Sequence, residues 1–286
     1  MKKRILTLSL VIALIATCFA GTLAYLQDTD AAKNTMTLGK VDIEQLEYER
    51  VVDENGNWVP TGEKDNYGFV PDKLQPFTQD KPLYPAVFTD GKIKWDDRVP
   101  DYMQSWGQVG ASGNGKLFDD SVKNTVDKMV FVKNTGKNDV YVRTLVALEQ
   151  GSVAADNFEN VIMTNGNYNG ADGNKGHWDR ELIATNVAIG DSTYVVFCLT
   201  YRGPHSNPNG VLPAGTVSYP SLLQVYMKPA ATNADVVAVD GNANGKYDIL
   251  VLSQAVQTAG FDNAATALDT AFGEATAANV AQWLAK

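Results

Sequence analysis

The chain is poor in the residues that most often carry chemistry. It has 2 cysteines and 2 histidines among 286 residues. Cys18 lies in the apolar N-terminal stretch and leaves with it on cleavage. Cys198 then stands alone, which excludes a disulfide framework. It sits inside Tyr194-Val195-Val196-Phe197-Cys198-Leu199, where a thiol reads as a small buried hydrophobe. His177 and His205 cannot supply the usual three protein ligands of a catalytic zinc without a carboxylate, and no His-Glu-x-x-His occurs. The nucleophile elbow Gly-x-Ser-x-Gly is missing, because Gly110-Ala111-Ser112-Gly113 breaks its spacing. Phosphate-binding loops are absent. The pairs Asp96-Asp97 and Asp119-Asp120 read as solvated loop charges. No enzyme is expected. Basic charge is also scarce, with 24 Lys and Arg against 33 Asp and Glu and a net charge of -9. An acidic surface repels nucleic acid and anionic lipid, so neither is an expected partner.

Long hydrophobic runs are absent but for one. Lys2, Lys3 and Arg4 form a basic start, Ile5 to Leu26 carries no charge, and Asp28-Thr29-Asp30 ends the run. A basic start, an apolar stretch and a small-residue cleavage site describe a secretory signal peptide. Thr22-Leu23-Ala24 offers the small residues that a signal peptidase reads, and Cys18-Phe19-Ala20 offers a second choice. Cleavage after Ala24 would start the mature chain at Tyr25 and confine membrane contact to the time before cleavage. A retained helix is the alternative, since about 20 apolar residues also span a bilayer. A lipid anchor on Cys18 would want a small residue before it, and Thr17 fits poorly.

The residues that follow carry a resemblance. Gly21-Thr22-Leu23-Ala24-Tyr25-Leu26-Gln27-Asp28-Thr29-Asp30 leads to Asn34-Thr35-Met36-Thr37-Leu38-Gly39-Lys40-Val41-Asp42-Ile43. This resembles the N-terminus of the TasA/camelysin family, exported proteins of Gram-positive bacteria cut by a dedicated SipW-type signal peptidase. A second stretch, strand–Asn134-Thr135-Gly136–Tyr141-Val142-Arg143, is similar to the central hairpin of TasA-type domains. The resemblance implies a jelly-roll. It also implies a head-to-tail homopolymer, in which the mature arm of one subunit completes the sheet of the next, anchored by Tyr25, Leu26, Met36 and Leu38. Camelysin-like relatives are described as metallopeptidases, and nothing in these residues carries that activity over.

Along the chain, Thr35 to Val52 alternates as one strand, with Met36, Leu38, Val41, Ile43 and Leu46 apolar. Residues 58–118 are rich in proline and aromatics, which predicts an ordered insertion packed over the body rather than helix or disorder. Its Trp58, Trp95 and Trp106 read as a roof on the core, with sugar stacking as the alternative. Two β-rich runs around Lys133 to Asp139 predict a hairpin. Leu182–Val187 and Ser192–Tyr201 flank a Gly190-Asp191 turn, Gly215–Tyr219 and Ser221–Met227 add a strand split by Pro220, and Lys246–Gln257 reads as the last strand with Ile249, Val251, Ser253, Ala255 and Gln257 on one face; a helix is the alternative there, and the resemblance, through a closing strand that ends at Ala255 to Thr258, favours the strand. Asp262 or Asn263 caps a helix over Ala264–Phe272, Gly273 ends it, and Thr276 caps another through Leu284. The fold class is therefore all-β, an antiparallel sandwich, which the resemblance sharpens to a jelly-roll-like one. Its expected divisions are a signal peptide at 1–24, a sandwich at 25–258 with the insertion, and a short helical tail at 259–286.

One segment looks chemical. Asp240-Gly241-Asn242-Ala243-Asn244-Gly245-Lys246-Tyr247-Asp248 matches the first nine positions of a calcium loop, with oxygen side chains at Asp240, Asn242, Asn244 and Asp248. Val251 stands where an EF-hand needs its bidentate acid. The favoured reading is a tight Asn244-Gly245 turn. The alternative is a weak calcium site, and no other cofactor is indicated.

Two functions follow. One is a secreted structural protein of the cell surface or biofilm matrix that forms fibres. The other is a monomeric surface module that binds a glycan or protein. Processing is testable first: N-terminal sequencing of secreted material is expected to begin at Tyr25. A start at Met1 means an anchor, and a start at Gly21 shifts the arm.

Overall fold

A computed structural model describes residues 27–31, 34–37, 41–63, 70–89, 91–99, 116–168, 176–204 and 207–285. Thr22, Ala24, Tyr25, Leu26, Leu38, Trp106 and His205 lie outside them. The N-terminal part holds β1 (Gln27–Ala31), β2 (Asn34–Thr37), β3 (Ile43–Arg50), β4 (Leu74–Pro76), β5 (Val87–Phe88) and β6 (Val122–Lys123). The remainder holds β7 (Thr125–Asn134), β8 (Val140–Glu149), β9 (Ile162–Gly166), β10 (Trp178–Ile189), β11 (Ser192–Tyr201), β12 (Val211–Leu212), β13 (Leu222–Met227) and β14 (Ile249–Gln257). Every ladder between them is antiparallel. The described chain is all-β with a few short helices.

A 7-stranded sheet runs β10-β11-β8-β14-β1-β2, with β12 also on β8, and a 5-stranded sheet runs β4-β3-β7-β13-β9. They face each other across a shared core. Val140, Val142, Val146 and Leu148 of β8 and Phe197 and Leu199 of β11 meet Val130 and Val132 of β7 and Leu222 and Val225 of β13. Side chains alternate along each strand, so the intervening residues face outward. Here the outward residues are covered as well. Leu145 and Ala147 of β8 lie under the Ala277–Leu284 helix through Val280. Tyr141 and Val256 lie under Ala267 and Leu268 of the Ala264–Phe272 helix. All ten residues of β8 are consequently buried, which is why the run is apolar without a break. The helices expected as a tail are thus a cover on the sheet. Asn263 caps the first through its side chain, accepting from Thr266 N at 2.9 Å, and Thr276 caps the second in the same manner.

Two strand expectations are corrected. The stretch from Thr35 to Val52 is not one strand. It divides into β2 in the larger sheet and β3 in the smaller. The runs flanking Lys133 to Asp139 do not form a hairpin either, because β7 and β8 belong to opposite sheets. The cluster is a corner between layers. Asn134 holds it, donating from Nδ2 to Asn138 O at 2.8 Å and to Leu212 O at 3.1 Å. Gly190-Asp191 does turn a true hairpin, β10–β11, with Gly190 at φ 62°. Near Pro220 the expected split leaves β13 alone as a strand, with Val217 making an isolated bridge to Lys133.

The described part of the insertion covers the outer face of the smaller sheet. Val99 and Leu117 pack on Met129, Phe131 and Leu223. Trp95 stacks on Phe118 at 5.1 Å, and Phe118 meets Tyr226 edge-on at 5.3 Å. The polar anchor of this layer is Arg50, whose side chain is fully buried. Its Nε and Nη2 donate to the two oxygens of Asp127 at 2.7 and 2.8 Å. Its Nη1 donates to Asp96 at 2.8 Å and to Phe118 O at 2.7 Å. The guanidinium lies 3.3 Å from the Trp58 ring centre. Asp96 is therefore a buried network member and not the solvated loop charge expected. Arg98 clamps its other oxygen at 2.7 Å, and these hydrogen bonds and charges hold the carboxyl below its usual pKa against the opposing effect of burial. Asp120 is likewise engaged, by Trp58 N and Arg98. Asp127→Ala leaves this guanidinium without its bidentate partner and is expected to destabilise the fold by about 3–5 kcal/mol. Urea unfolding reads the loss as a lower midpoint at unchanged slope. Removing both charges, as Arg50→Met with Asp127→Leu, is expected to lose clearly less than the two single changes added together.

Candidate functional site

The N-terminal arm meets the body at β14. On its inner side β14 pairs β8 along its whole length, from Ile249↔Leu148 to Gln257↔Val140. On its outer side it takes β1, with Gln27↔Val256, Asp28↔Ala255, Thr29↔Gln254, Asp30↔Ser253 and Ala31↔Leu252. β2 adds outside β1 and makes Met36 the register partner of Thr29. The strand in contact with β14 is therefore Gln-Asp-Thr-Asp-Ala, a polar run that apolar alternation does not single out. Its visible signals are the absence of Gly and Pro and the short step to the second strand. Without β1, β14 would be a bare edge with unpaired backbone groups.

Between β14 and β3 a chain of polar groups crosses the gap between the sheets. Ser253 and Thr144 are cross-strand partners, fully buried, with hydroxyls 3.1 Å apart. Ser253 Oγ donates to Gln45 Oε1 of β3 at 2.8 Å, and Gln45 Nε2 donates to Glu47 Oε1 at 3.0 Å. Glu47 forms an ion pair with Lys128 of β7. The opposite edge of the sheet differs. β10 pairs β11 with register shifts at Leu182/Ala184 and Ala184/Val187, and Asn186 adopts φ 55°. Such irregularities protect a free edge from pairing.

The segment Asp240 to Asp248 is a tight loop leading into β14. Asp240 Oδ1 accepts from Asn244 N at 3.0 Å and Oδ2 from Gly245 N at 2.8 Å. Asn244 Oδ1 accepts from Lys246 N at 2.7 Å, and Asn242 Nδ2 donates to Asp248 Oδ2 at 3.2 Å. Gly245 has φ 77°, the left-handed value that favours glycine there. Underneath sits Glu149, fully buried, accepting from Ser192 Oγ at 2.6 Å, Gly241 N at 2.9 Å and Asp248 N at 3.1 Å. Sequence reasoning did not connect Glu149 to this loop, since it lies on another strand. Val251 faces the shared core. Among the described residues no three His, Cys, Asp or Glu side chains converge as a metal site.

A cleft of about 690 Å³ opens beside this loop, lined by Phe77, Lys81, Lys128, Lys246, Asp248 and Ile249, among others. Its lysines are neutralised in place: Lys81 by Glu49, Lys128 by Glu47 and Lys246 by Asp80. Lys128 Nζ also lies 3.9 Å from the Phe77 ring centre. Cys198 is buried on the outer face of the larger sheet beneath the helices. Burial pushes its thiol up to about 11 against the opposing charge of Arg143, which removes the thiolate that a nucleophile needs. His177 is buried and stacked on Tyr219 at 3.4 Å, with Nδ1 bonded to Gly203 O at 3.0 Å. Trp58 and Trp95 are occupied by Arg50 and Phe118, a packing role.

Calorimetric titration with calcium is expected to find no binding tighter than about 10 μM, because Asp240 is already engaged by backbone amides and position 12 is Val251. A sub-micromolar constant would show that the loop reorganises around the ion. In comparisons with known proteins, no protein-family model, no curated protein and no solved structure matches the chain.

Proposed function

We propose that the chain is a secreted structural protein of the cell surface or biofilm matrix, of the TasA/camelysin type. It polymerises head to tail by donating its N-terminal arm. The observation that carries this reading is that β14 takes its outer partner from the chain's own terminal segment. A strand at the end of a chain can be supplied by a neighbour as well as by its own subunit, and the main-chain ladder is the same in either case. A head-to-tail contact that does not close on itself grows into a filament. In this reading a SipW-type peptidase frees the arm during export. The partner is a second copy of the chain, and the β-sandwich is a jelly-roll. Neither catalysis nor nucleic acid enters, and no cofactor is required.

The cleft beside Phe77 favours a second reading, a monomeric surface module that binds a ligand there. Electron microscopy of the purified mature protein separates the two. Deleting residues 25–33 is expected to leave a folded β protein by circular dichroism and to abolish filaments. Filaments of unchanged morphology from the truncated protein would refute donation of the arm. A mature chain that stays monomeric at high concentration and across pH would favour the module.

A further inference from the structure

We infer that the cleft beside Phe77 is a site for a neutral, hydroxyl-rich ligand, a short stretch of glycan. This rests on the second reading above, that the cleft takes a ligand, and adds the chemical class that fits it.

Three parts of the chain line the cleft: residues between Phe77 and Leu83 of the insertion, Asn244 to Ile249 leading into β14, and Val126, Lys128 and Val225 of the smaller sheet. Its volume of about 690 Å³ lies within the roughly 300–1,000 Å³ of small-molecule sites. Leu83, Val126, Val225 and Ile249 make part of it apolar, and the rings of Phe77 and Tyr247 add aromatic surface. The Tyr247 hydroxyl is buried, so what this residue offers the cleft is its ring. Sugar stacking on Trp58 or Trp95 is closed off, since Arg50 and Phe118 take those rings.

Charge decides the class of ligand. Lys81, Lys128 and Lys246 are each matched by a carboxylate, from Glu49, Glu47 and Asp80, and Asp248 brings a further one. Carboxylates thus outnumber ammonium groups, which disfavours an anion. A wholly apolar ligand is disfavoured too, because it would strip water from the Lys246–Asp80 pair without replacing the lost hydrogen bonds. That pair is far from saturated. Its side chains are 58% and 68% exposed, and both residues line the cleft. An ammonium group has three donors, and Lys246 directs one at Asp80 Oδ1 at 2.6 Å. A carboxylate has acceptor sites on both oxygens, so Asp80 keeps capacity as well. Adjacent hydroxyls of a sugar ring can donate to the carboxylate and accept from the ammonium, while the C–H face of the ring packs on Phe77. Asp80 is also held at φ 62°, a left-handed value that few residues other than glycine adopt, and such outliers cluster at functional sites.

Equilibrium dialysis on the mature chain tests this and reads filaments and monomers alike. The probes are three neutral tetrasaccharides, cellotetraose, maltotetraose and tetra-N-acetylchitotetraose, with tetragalacturonate as the acidic control and the chitosan tetramer as the basic one. At least one neutral probe is expected to bind with a Kd of about 0.1–5 mM, and neither control to bind more tightly. Asp80→Gly removes the carboxylate and leaves a residue suited to φ 62°, and it is expected to weaken that probe about ten-fold with an unchanged circular dichroism spectrum. Phe77→Leu keeps an apolar side chain without the ring and is expected to weaken it by a similar factor. Should Phe77→Leu alter the spectrum, Asp80→Gly alone decides. An unchanged Kd in Asp80→Gly overturns recognition by the ion pair. A control that binds more tightly than every neutral probe overturns the ligand class and leaves the cleft as a binding site. No binding by any probe at about 10 mM overturns this inference and the second reading together.

Discussion

A fully buried guanidinium, Arg50, governs the outer face of the smaller sheet. A cation in that position is tolerable only while every direction around it is filled. Asp127 supplies a bidentate partner from β7, Asp96 and the Phe118 carbonyl come from the insertion and its end, and Trp58 covers the flat face. The insertion is thus required by the sheet it covers. The larger sheet repeats the arrangement with Arg143. That residue points outward from β8 and donates to Gln254 at 2.7 Å, to Asp269 at 3.0 Å and to the Gly273 carbonyl at 2.9 Å, and Trp283 lies 4.9 Å from it. Burial lowers its pKa from the usual arginine value. Each sheet carries one buried arginine outward, and each arginine holds the layer that covers it.

This explains what could be read from the sequence. Local signals were reliable where the chemistry is local. Asn263, Gly273 and Thr276 mark the helix ends because capping is decided within one turn. Gly190 marks a hairpin because its φ is positive. The face of β14 with Val251 and Ala255 follows from a period of two. What failed was choice of partner. A cluster such as Asn134 to Asp139 announces a change of direction, but the same residues serve a two-strand hairpin and a corner between sheets. With both faces covered, β7 and β8 lose the alternation that would have told them apart from a hairpin in one sheet. Asp96 failed for a related reason, since its partner Arg50 is far away in sequence.

The arm was legible as a segment and not as a strand. Apolar alternation pointed to Met36 and Leu38, and the pairing partner of β14 is instead Gln27–Ala31. Periodicity searches find strands that bury apolar side chains. A polar strand held by its backbone leaves no such trace. The Glu149 support of the Asp240 loop was invisible in the same way, because it links residues from β8, β11 and the loop.

Two strands of the larger sheet, β10 at its edge and β14 beneath the arm, differ in how they meet further pairing. Among the described residues β10 takes no second ladder beyond β11, only an isolated bridge from Trp178 to Tyr168, and its bulges break the even spacing a new strand would need. β14 is regular over nine residues and would invite any extended segment. Covering it with the arm removes the hazard. The arm's place in the sheet is held by its main-chain ladder to β14, a pairing that any extended strand can make.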